Sequence, residues 1–541
     1  MVILYWFSTL MNDSRQMATN VETPEYFQHK QIPRGTQIAG WSAIVKTYGI
    51  DVPLRYFACV SDKHISGNRR IEDKWELFDK RYLPENSFAG HLNFAFRHES
   101  IDLLVIKRVF GAISKEELCN FILSTPTGAI ARRVWFFYET LTGNKLDIKD
   151  ASTVTAVDAL DPDKYFTVKG ALSQRHRVRN NLLGVGVFCP LIRKTEKLEK
   201  FISLNLAQKA QETIGKTGAQ VVARAASFML LADSKASFEI EGEKPPGSKL
   251  ERWGRAVLEA GKRPLNQSEI YRLHQIIIGD TRFTQIGYRS EGVFLGERDH
   301  DGDPLPEFIG ARHEDLPEIM LGLNDCNNRL RSSDLDAVLQ AAAIAFGFVY
   351  IHPLTDGNGR LHRCLIHHVL AERKFTPPGM IFPVSSVMAL DIETYRNTLQ
   401  SHSSLLMDYI DWRVSPCKNV EVTNDTADLY KYYDCTENAE FLYDCVRQAV
   451  EIDLPREIDY LKRHDEALNL IMEAVEMPDR LAQDLLMSIQ KNKGELAKKW
   501  RKRQFEKLTD EEIIVMEGIV NSAFEGFEDF EDFEDTGHIS N

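Results

Sequence analysis

Residues 351–363 read Ile-His-Pro-Leu-Thr-Asp-Gly-Asn-Gly-Arg-Leu-His-Arg. They place a histidine, a carboxylate, two glycines and two arginines in one short span. Such a set can do chemistry on an anion. Glycine lets the backbone approach a ligand closely and adopt positive φ. The first N–H groups of a helix have no partner within it and lie at the positive end of its dipole. Gly357, Asn358 and Gly359 directly ahead of a helix therefore make a phosphate cradle. Arg360 and Arg363 fall three apart, on one side of the first turn, and guanidinium forks match phosphate oxygens. Asp356 is the kind of single carboxylate that holds Mg²⁺ together with phosphates. His352 titrates near neutrality and suits a general base that takes a proton from a hydroxyl.

The same residue types also make plain turns between helices. What weighs against a plain turn is the joint pattern and the elements that carry it. After the loop, Leu361, Cys364, Leu365, His368 and Val369 fall at helical spacing, which starts a helix near Asn358 or Gly359. Before it, Leu335, Val338, Leu339, Ala342, Phe346 and Val349 mark a core helix that begins after the capping signal Ser332–Asp334. A further helix starts near Pro317, a good first-turn residue. Two short apolar runs around an Asp-Gly-Asp-Pro turn predict a β-hairpin over 292–310.

The pattern His-Pro-x-x-Asp-Gly-Asn-Gly-Arg-x-x-Arg resembles the signature of the Fic (AMPylator) family. It differs in one place, Leu354, where the family usually has Phe as an apolar anchor. The resemblance covers roughly 230–412. It implies a mainly α fold: a Fic-type helical core with a small β-hairpin flap, here flanked by additional helical modules. It also implies transfer of AMP from ATP, the substrate nucleotide, to a Ser, Thr or Tyr hydroxyl of a target protein, with self-modification. By position, His352 would be the base and Asp356 the Mg²⁺ ligand. Gly357, Asn358, Gly359, Arg360 and Arg363 would bind phosphates, and Tyr395 would lie on the adenine side. The stretch Ser-Phe-Glu-Ile-Glu-Gly, 237–242, resembles the family's inhibitory motif, with Ser237, Glu241 and Gly242 at its fixed positions. On that reading Glu241 pairs with Arg363 and fills the γ-phosphate space. The hairpin would align an unidentified target protein by strand addition.

The chain's 541 residues exceed one ordinary core. The composition breaks suggest a loosely ordered lead-in over 1–50 and a mainly helical module over 51–199. The Fic core would occupy 200–412, a C-terminal helical module 413–524, and an acidic disordered tail 525–541. The net charge of −13 is uneven: the seven acidic residues from Glu525 onward account for about half of it. The acidic whole argues against nucleic acid, and the basic run 498–507 is the one place where such a partner could bind. Eight scattered cysteines without a CxxC pair fit reduced thiols and a cytoplasmic location. No apolar run reaches membrane-spanning length, and a homo-oligomer is left open. Gly215–Gly218 does not meet the spacing of a P-loop. Two alternatives stand beside adenylyl transfer. One is a Fic-type de-AMPylase or other phosphate-group transferase. The other is a regulatory protein with a DNA- or partner-binding C-terminal module.

Overall fold

The computed structural model describes residues 25–151 and 154–527. It divides the chain into two compact units, 1–101 and 102–541. The described residues are mainly helical, with a few small sheets.

The first unit is α/β. Its four-stranded sheet runs in the order Thr36–Ile38, Phe57–Ser61, Trp75–Phe78, Arg69–Glu72, and its middle pair is parallel. Ala39, Ala58, Val60, Phe78 and Phe94 form its core. This corrects the expected lead-in. Residues 25–50 carry strands and the helix Gly40–Tyr48, in which a run of six residues, 40–45, is buried. The predicted boundary at 50 therefore moves to 101. Residues 1–24 of that lead-in, and all but the first three of the predicted tail, lie outside the described residues.

In the second unit the elements that position the site are, in order, α1 (Ala219–Glu239), α2 (Gln267–Ile278), β1 (Phe294–Arg298), β2 (Pro304–Ile309), α3 (Leu316–Arg331), α4 (Ala337–Ile351), α5 (Asn358–Glu372), α6 (Ile392–Met407), α7 (Thr436–Gln448) and α8 (Leu454–Ala474). Apart from Gln340, which bonds Asn327 and Arg373, helix α4 is apolar nearly all round, and every one of its residues is buried, as in a central helix. Helices α3, α5 and α7 pack around it. Its cap is Asp336, whose side chain accepts from Val338 and Leu339, rather than the predicted Ser332–Asp334. The reason is local: Ser333 and Leu335 are used in a turn and bond Arg373 through their carbonyls.

The boundaries predicted at 199 and 412 do not separate this core from its neighbours. Cys189–Leu191 pairs in parallel with Tyr432–Asp434. Phe188 packs where a Cβ on Gly322 or Gly347 would collide with it. Arg329 of α3 donates to the carbonyls of Leu182 and Asn180, and Tyr433 donates to Ala343 of α4. Residues 154–191, expected to be mainly helical, instead carry a three-stranded sheet built from 157–158, 171–173 and 178–180. Short apolar runs between polar residues fit both kinds of element, and pairing with distant strands decided between them. Beyond α7, helix α8 and the helices Asp479–Lys491 and Asp510–Ala523 share a separate apolar core around Leu485, Ile489 and Met516, to which the helix Lys498–Gln504 adds no buried residue.

Candidate active site

The loop between α4 and α5 folds as its residues dictate. Helix α4 ends at His352, which takes the left-handed conformation at φ 54°, ψ 57°. Gly357, at φ 82°, caps the start of α5. Between them Leu354 is fully buried and serves as the apolar anchor. Asn358 closes the loop: its Oδ1 accepts from the Leu354 N–H at 2.9 Å and its Nδ2 donates to the Leu354 carbonyl at 2.8 Å. The side chain of Asn358 is thus a staple, and what Asn358 brings to the expected cradle is its first-turn backbone N–H. Both of its polar ends are committed to the backbone.

His352 is buried, with 7% of its surface exposed. Its Nδ1 donates to the Val349 carbonyl at 3.1 Å, which leaves Nε2 with the lone pair. Burial, with the Arg289 charge next in weight, holds the ring well below the usual imidazole range, at about 4. It is neutral at physiological pH.

At the other end of the loop, Arg363 is fully buried. Its Nε donates to Ser237 Oγ at 2.9 Å. Its Nη2 donates to the Ser237 carbonyl at 2.6 Å and to Glu241 Oε1 at 2.8 Å. Burial works against its charge, but Glu241 and Tyr395 more than offset that and raise its pKa. Glu241 does more than pair. A Cβ built on Gly359 would lie 2.1 Å from Glu241 Oε1, so the carboxylate sits directly on the glycine backbone of the predicted cradle. Gly242, at φ 72°, turns the chain after α1 and lets the N–H of Glu243 return to the Phe238 carbonyl.

Arg360 is also buried. Its Nη2 donates to Asp356 Oδ1 at 2.9 Å, its Nη1 lies 3.4 Å from Glu243 Oε1, and its guanidinium lies over the Phe238 ring at 5.6 Å. Its Nε is buried with no hydrogen-bond partner. Asp356 is about half exposed, and its Oδ1 also accepts from the Gly357 N–H. Among the described residues no three His, Cys, Asp or Glu side chains cluster as a metal site. One exposed carboxylate beside an anion cradle nevertheless suits Mg²⁺, which is commonly held by one or two carboxylates plus phosphate oxygens and water.

Tyr395 of α6, expected on the adenine side, is packed in the core. It is 4% exposed, and its ring stacks with His362 and Phe441, so it supports Arg363 from the core.

Four further residues hold the site and were not singled out from the sequence. His274 of α2 donates from Nε2 to the Asp356 carbonyl and accepts the Gly287 N–H at Nδ1. A histidine among Ile270, Leu273 and Ile277 on an apolar face was the available signal. Asp233 of α1 binds His367 of α5 at 3.0 Å and the Ser385 N–H at 2.8 Å. Glu243 follows Glu241 by two residues in an acidic run. Arg289 had no pattern to mark it.

The fold and site define a mainly α protein in which the carboxylate of Glu241, in the turn after α1, is seated on a glycine-rich helix start. Residues 264–370 match the Fic/DOC family, so the chain carries a Fic/DOC domain. A protein adenylyltransferase Fic of Nematostella vectensis is 34% identical over 110 residues, 20% of this chain and 23% of that protein. Protein adenylyltransferase fic-1 of Caenorhabditis elegans is 29% identical over 120 residues, 22% of this chain and 21% of that protein. A Fido domain-containing protein of Dictyostelium discoideum is 36% identical over 92 residues, 17% of this chain and 57% of that protein. The chain thus spans less than a quarter of the length of the two named adenylyltransferases. A Fic domain-containing signaling protein of Bacteroides thetaiotaomicron aligns at TM-score 0.34 and 18% identity, over 49% of this chain and 97% of that one, too loosely to carry an argument. Among the described residues no helix is long and apolar enough to cross a membrane.

Proposed function

We propose that this chain is an autoinhibited protein adenylyltransferase that uses ATP. The observation that carries the reading is the Glu241 carboxylate seated on Gly359 and Arg363. A cradle that binds an internal anion this closely has the shape and charge for a phosphate, and the two anions compete for one guanidinium.

With Glu241 withdrawn, the phosphates of ATP lie over Gly357 and Gly359, with Arg360 and Arg363 on their outer oxygens. Nε2 of His352 accepts the proton of a target hydroxyl. That oxygen bonds to the α-phosphorus, the bond from the α-phosphorus to the bridging oxygen breaks, and pyrophosphate leaves with the electron pair. A base near pKa 4 is a weak acceptor, and the negative phosphates beside it lift that value toward the working range. Mg²⁺ held by Asp356 with phosphate oxygens would offset the leaving charge. Most of the acceleration comes from position and fixed charge.

The test is incubation with α-labelled ATP and Mg²⁺. Glu241→Gly removes a charge-assisted hydrogen bond of about 2 kcal/mol and should raise self-labelling by more than tenfold. Adding His352→Ala should lower it by about 10²- to 10⁴-fold. A Glu241→Gly protein that takes no label overturns the reading. Label from γ- but not α-labelled ATP would assign phosphate transfer instead.

A further inference from the structure

Arg289 lies at the root of the hairpin and is 5% exposed. Among the described residues no carboxylate lies within ion-pair reach of it, so a whole charge is buried on carbonyl partners alone. Its Nε donates to the His352 carbonyl at 2.8 Å, its Nη1 to the Glu291 carbonyl at 2.6 Å, and its Nη2 to the Ala311 carbonyl. Its own backbone N–H donates to the Pro353 carbonyl at 3.0 Å. Glu291 precedes β1 and Ala311 follows β2. One guanidinium thus ties both roots of the hairpin to the histidine at the end of α4.

The joint is tight in other ways. The Ala311 N–H donates to the Ile351 carbonyl, and the Phe308 ring lies 5.6 Å from the His352 ring. A Cβ on Gly310 would lie 2.6 Å from Val293 Cγ1 and 3.0 Å from His352 Cβ. His352 is left-handed, a conformation that costs a non-glycine residue on the order of 1 kcal/mol and persists only where its surroundings fix it. The bond from Arg289 to its carbonyl is one of those constraints. Buried cations usually have a carboxylate partner. Here the charge is spent on geometry, because carbonyls from three segments can be drawn to one fork only by a planar, multidentate donor.

We propose that Arg289 is a positioning residue for the transfer reaction: it fixes His352 against both roots of the hairpin, so that a hydroxyl presented there meets Nε2. This rests on the adenylyltransferase reading. It places Arg289 outside the nucleotide contacts, so its loss should leave ATP binding alone and slow the chemical step.

The experiment uses the full chain with Glu241→Gly as parent. Self-labelling is measured as the rate at saturating ATP and as the ATP concentration giving half that rate. Arg289→Met should lower the saturating rate about 100-fold with the half-saturating ATP changed less than twofold. Arg289→Lys should recover at least tenfold of the loss. Gly310→Ala, a gentler change that wedges a methyl between the hairpin and His352, should lower the rate about tenfold with the same unchanged half-saturation. Half-saturating ATP rising in step with the lost rate, or Lys no better than Met, overturns the proposal. Ring-nitrogen NMR of labelled His352 separates this from failure of the adenylyltransferase reading. The parent and the Lys variant should show one tautomer with Nε2 unprotonated, and the Met variant a mixture. An unchanged single tautomer in the Met variant overturns the proposal even where no protein takes label.

Discussion

The two ends of the loop from 352 to 363 are finished differently. At the Arg363 end, α1 and the turn just after it supply the Ser237 Oγ, the Ser237 carbonyl and the Glu241 carboxylate, Tyr395 of α6 adds support from the core, and Arg363 is fully buried. At the Asp356 end the carboxylate is half exposed, Arg360 keeps an unpaired Nε, and the nearest inhibitory-side oxygen stands at 3.4 Å. An incoming anion must evict a carboxylate at the first end and can add without eviction at the second. On the autoinhibited reading proposed above, control of such a site lies on α1 and the turn that follows it. Whatever steadies α1 acts through Glu241, including the buried Asp233–His367 contact with α5 and the Arg224–Asp465 pair with α8.

Burial along the loop also governs the protein's response to acid. His352 and His362 are both buried, and burial lowers their pKa values to about 4 and about 3. A depressed folded value for histidine means that the unfolded chain, near 6.5, binds the proton first. Stability is therefore highest above about 6.5 and falls as pH drops toward the folded values. For His352 the loss is about 3 kcal/mol between pH 6.5 and 4. Urea unfolding midpoints should drop steeply between pH 6.5 and 4.5. His362→Asn, which can keep the bond to the Ala345 carbonyl, should flatten that slope markedly whatever it does to the midpoint at pH 7. An unchanged slope would show that this end of the site is wet, and the contrast between the two ends would fail.

Next in size is Ser237→Ala. It leaves the Arg363 Nε, a buried charged donor, without its hydroxyl partner, which costs about 1–3 kcal/mol. Denaturant titration at pH 7.5 should show that loss with an unchanged m value. A cost below about 0.5 kcal/mol would mean that water reaches Arg363, in which case the closed end is open too.

Much of this could be read from residue order. The glycine-led helix start and the place of the two arginines follow from local spacing, because a helix start fixes where its first-turn groups lie, whereas the pairing of Glu241 with Arg363 was implied only by the resemblance to the Fic family. The almost wholly apolar run of α4 likewise announces a central helix. What spacing cannot carry is contact between distant segments. Cys189–Leu191 meets Tyr432–Asp434 across the whole core, so the boundaries drawn at 199 and 412 cut through one body. The staple role of the Asn358 side chain had no local sign either: a backbone four residues back claims both of its ends. The packing of Tyr395 was hidden for a related reason: aromatic rings go where packing partners are, and His362 and Phe441 are not near it in sequence. Arg289 carries no local signal, because its partners are carbonyls, which every residue has.

The smallest effect tests the open end directly. Glu243 is 35% exposed and shared between Arg360 at 3.4 Å and Lys249 at 3.2 Å. A half-solvated pair at that separation contributes well under 1 kcal/mol, so Glu243→Gln should change the unfolding free energy by less than about 0.5 kcal/mol, several-fold less than Ser237→Ala. Its effect on ATP is different in kind. With Glu241→Gly as background, Glu243 is the remaining inhibitory-side carboxylate near the loop's guanidiniums, and neutralising it removes a repulsion from the incoming phosphates. The half-saturating ATP concentration for self-labelling should fall about twofold, with the saturating rate unchanged. The drop should shrink at high salt, since an exposed charge is screened. A change of tenfold or more would mean that Glu243 is a second plug equal to Glu241, and the two ends of the loop would then be closed alike.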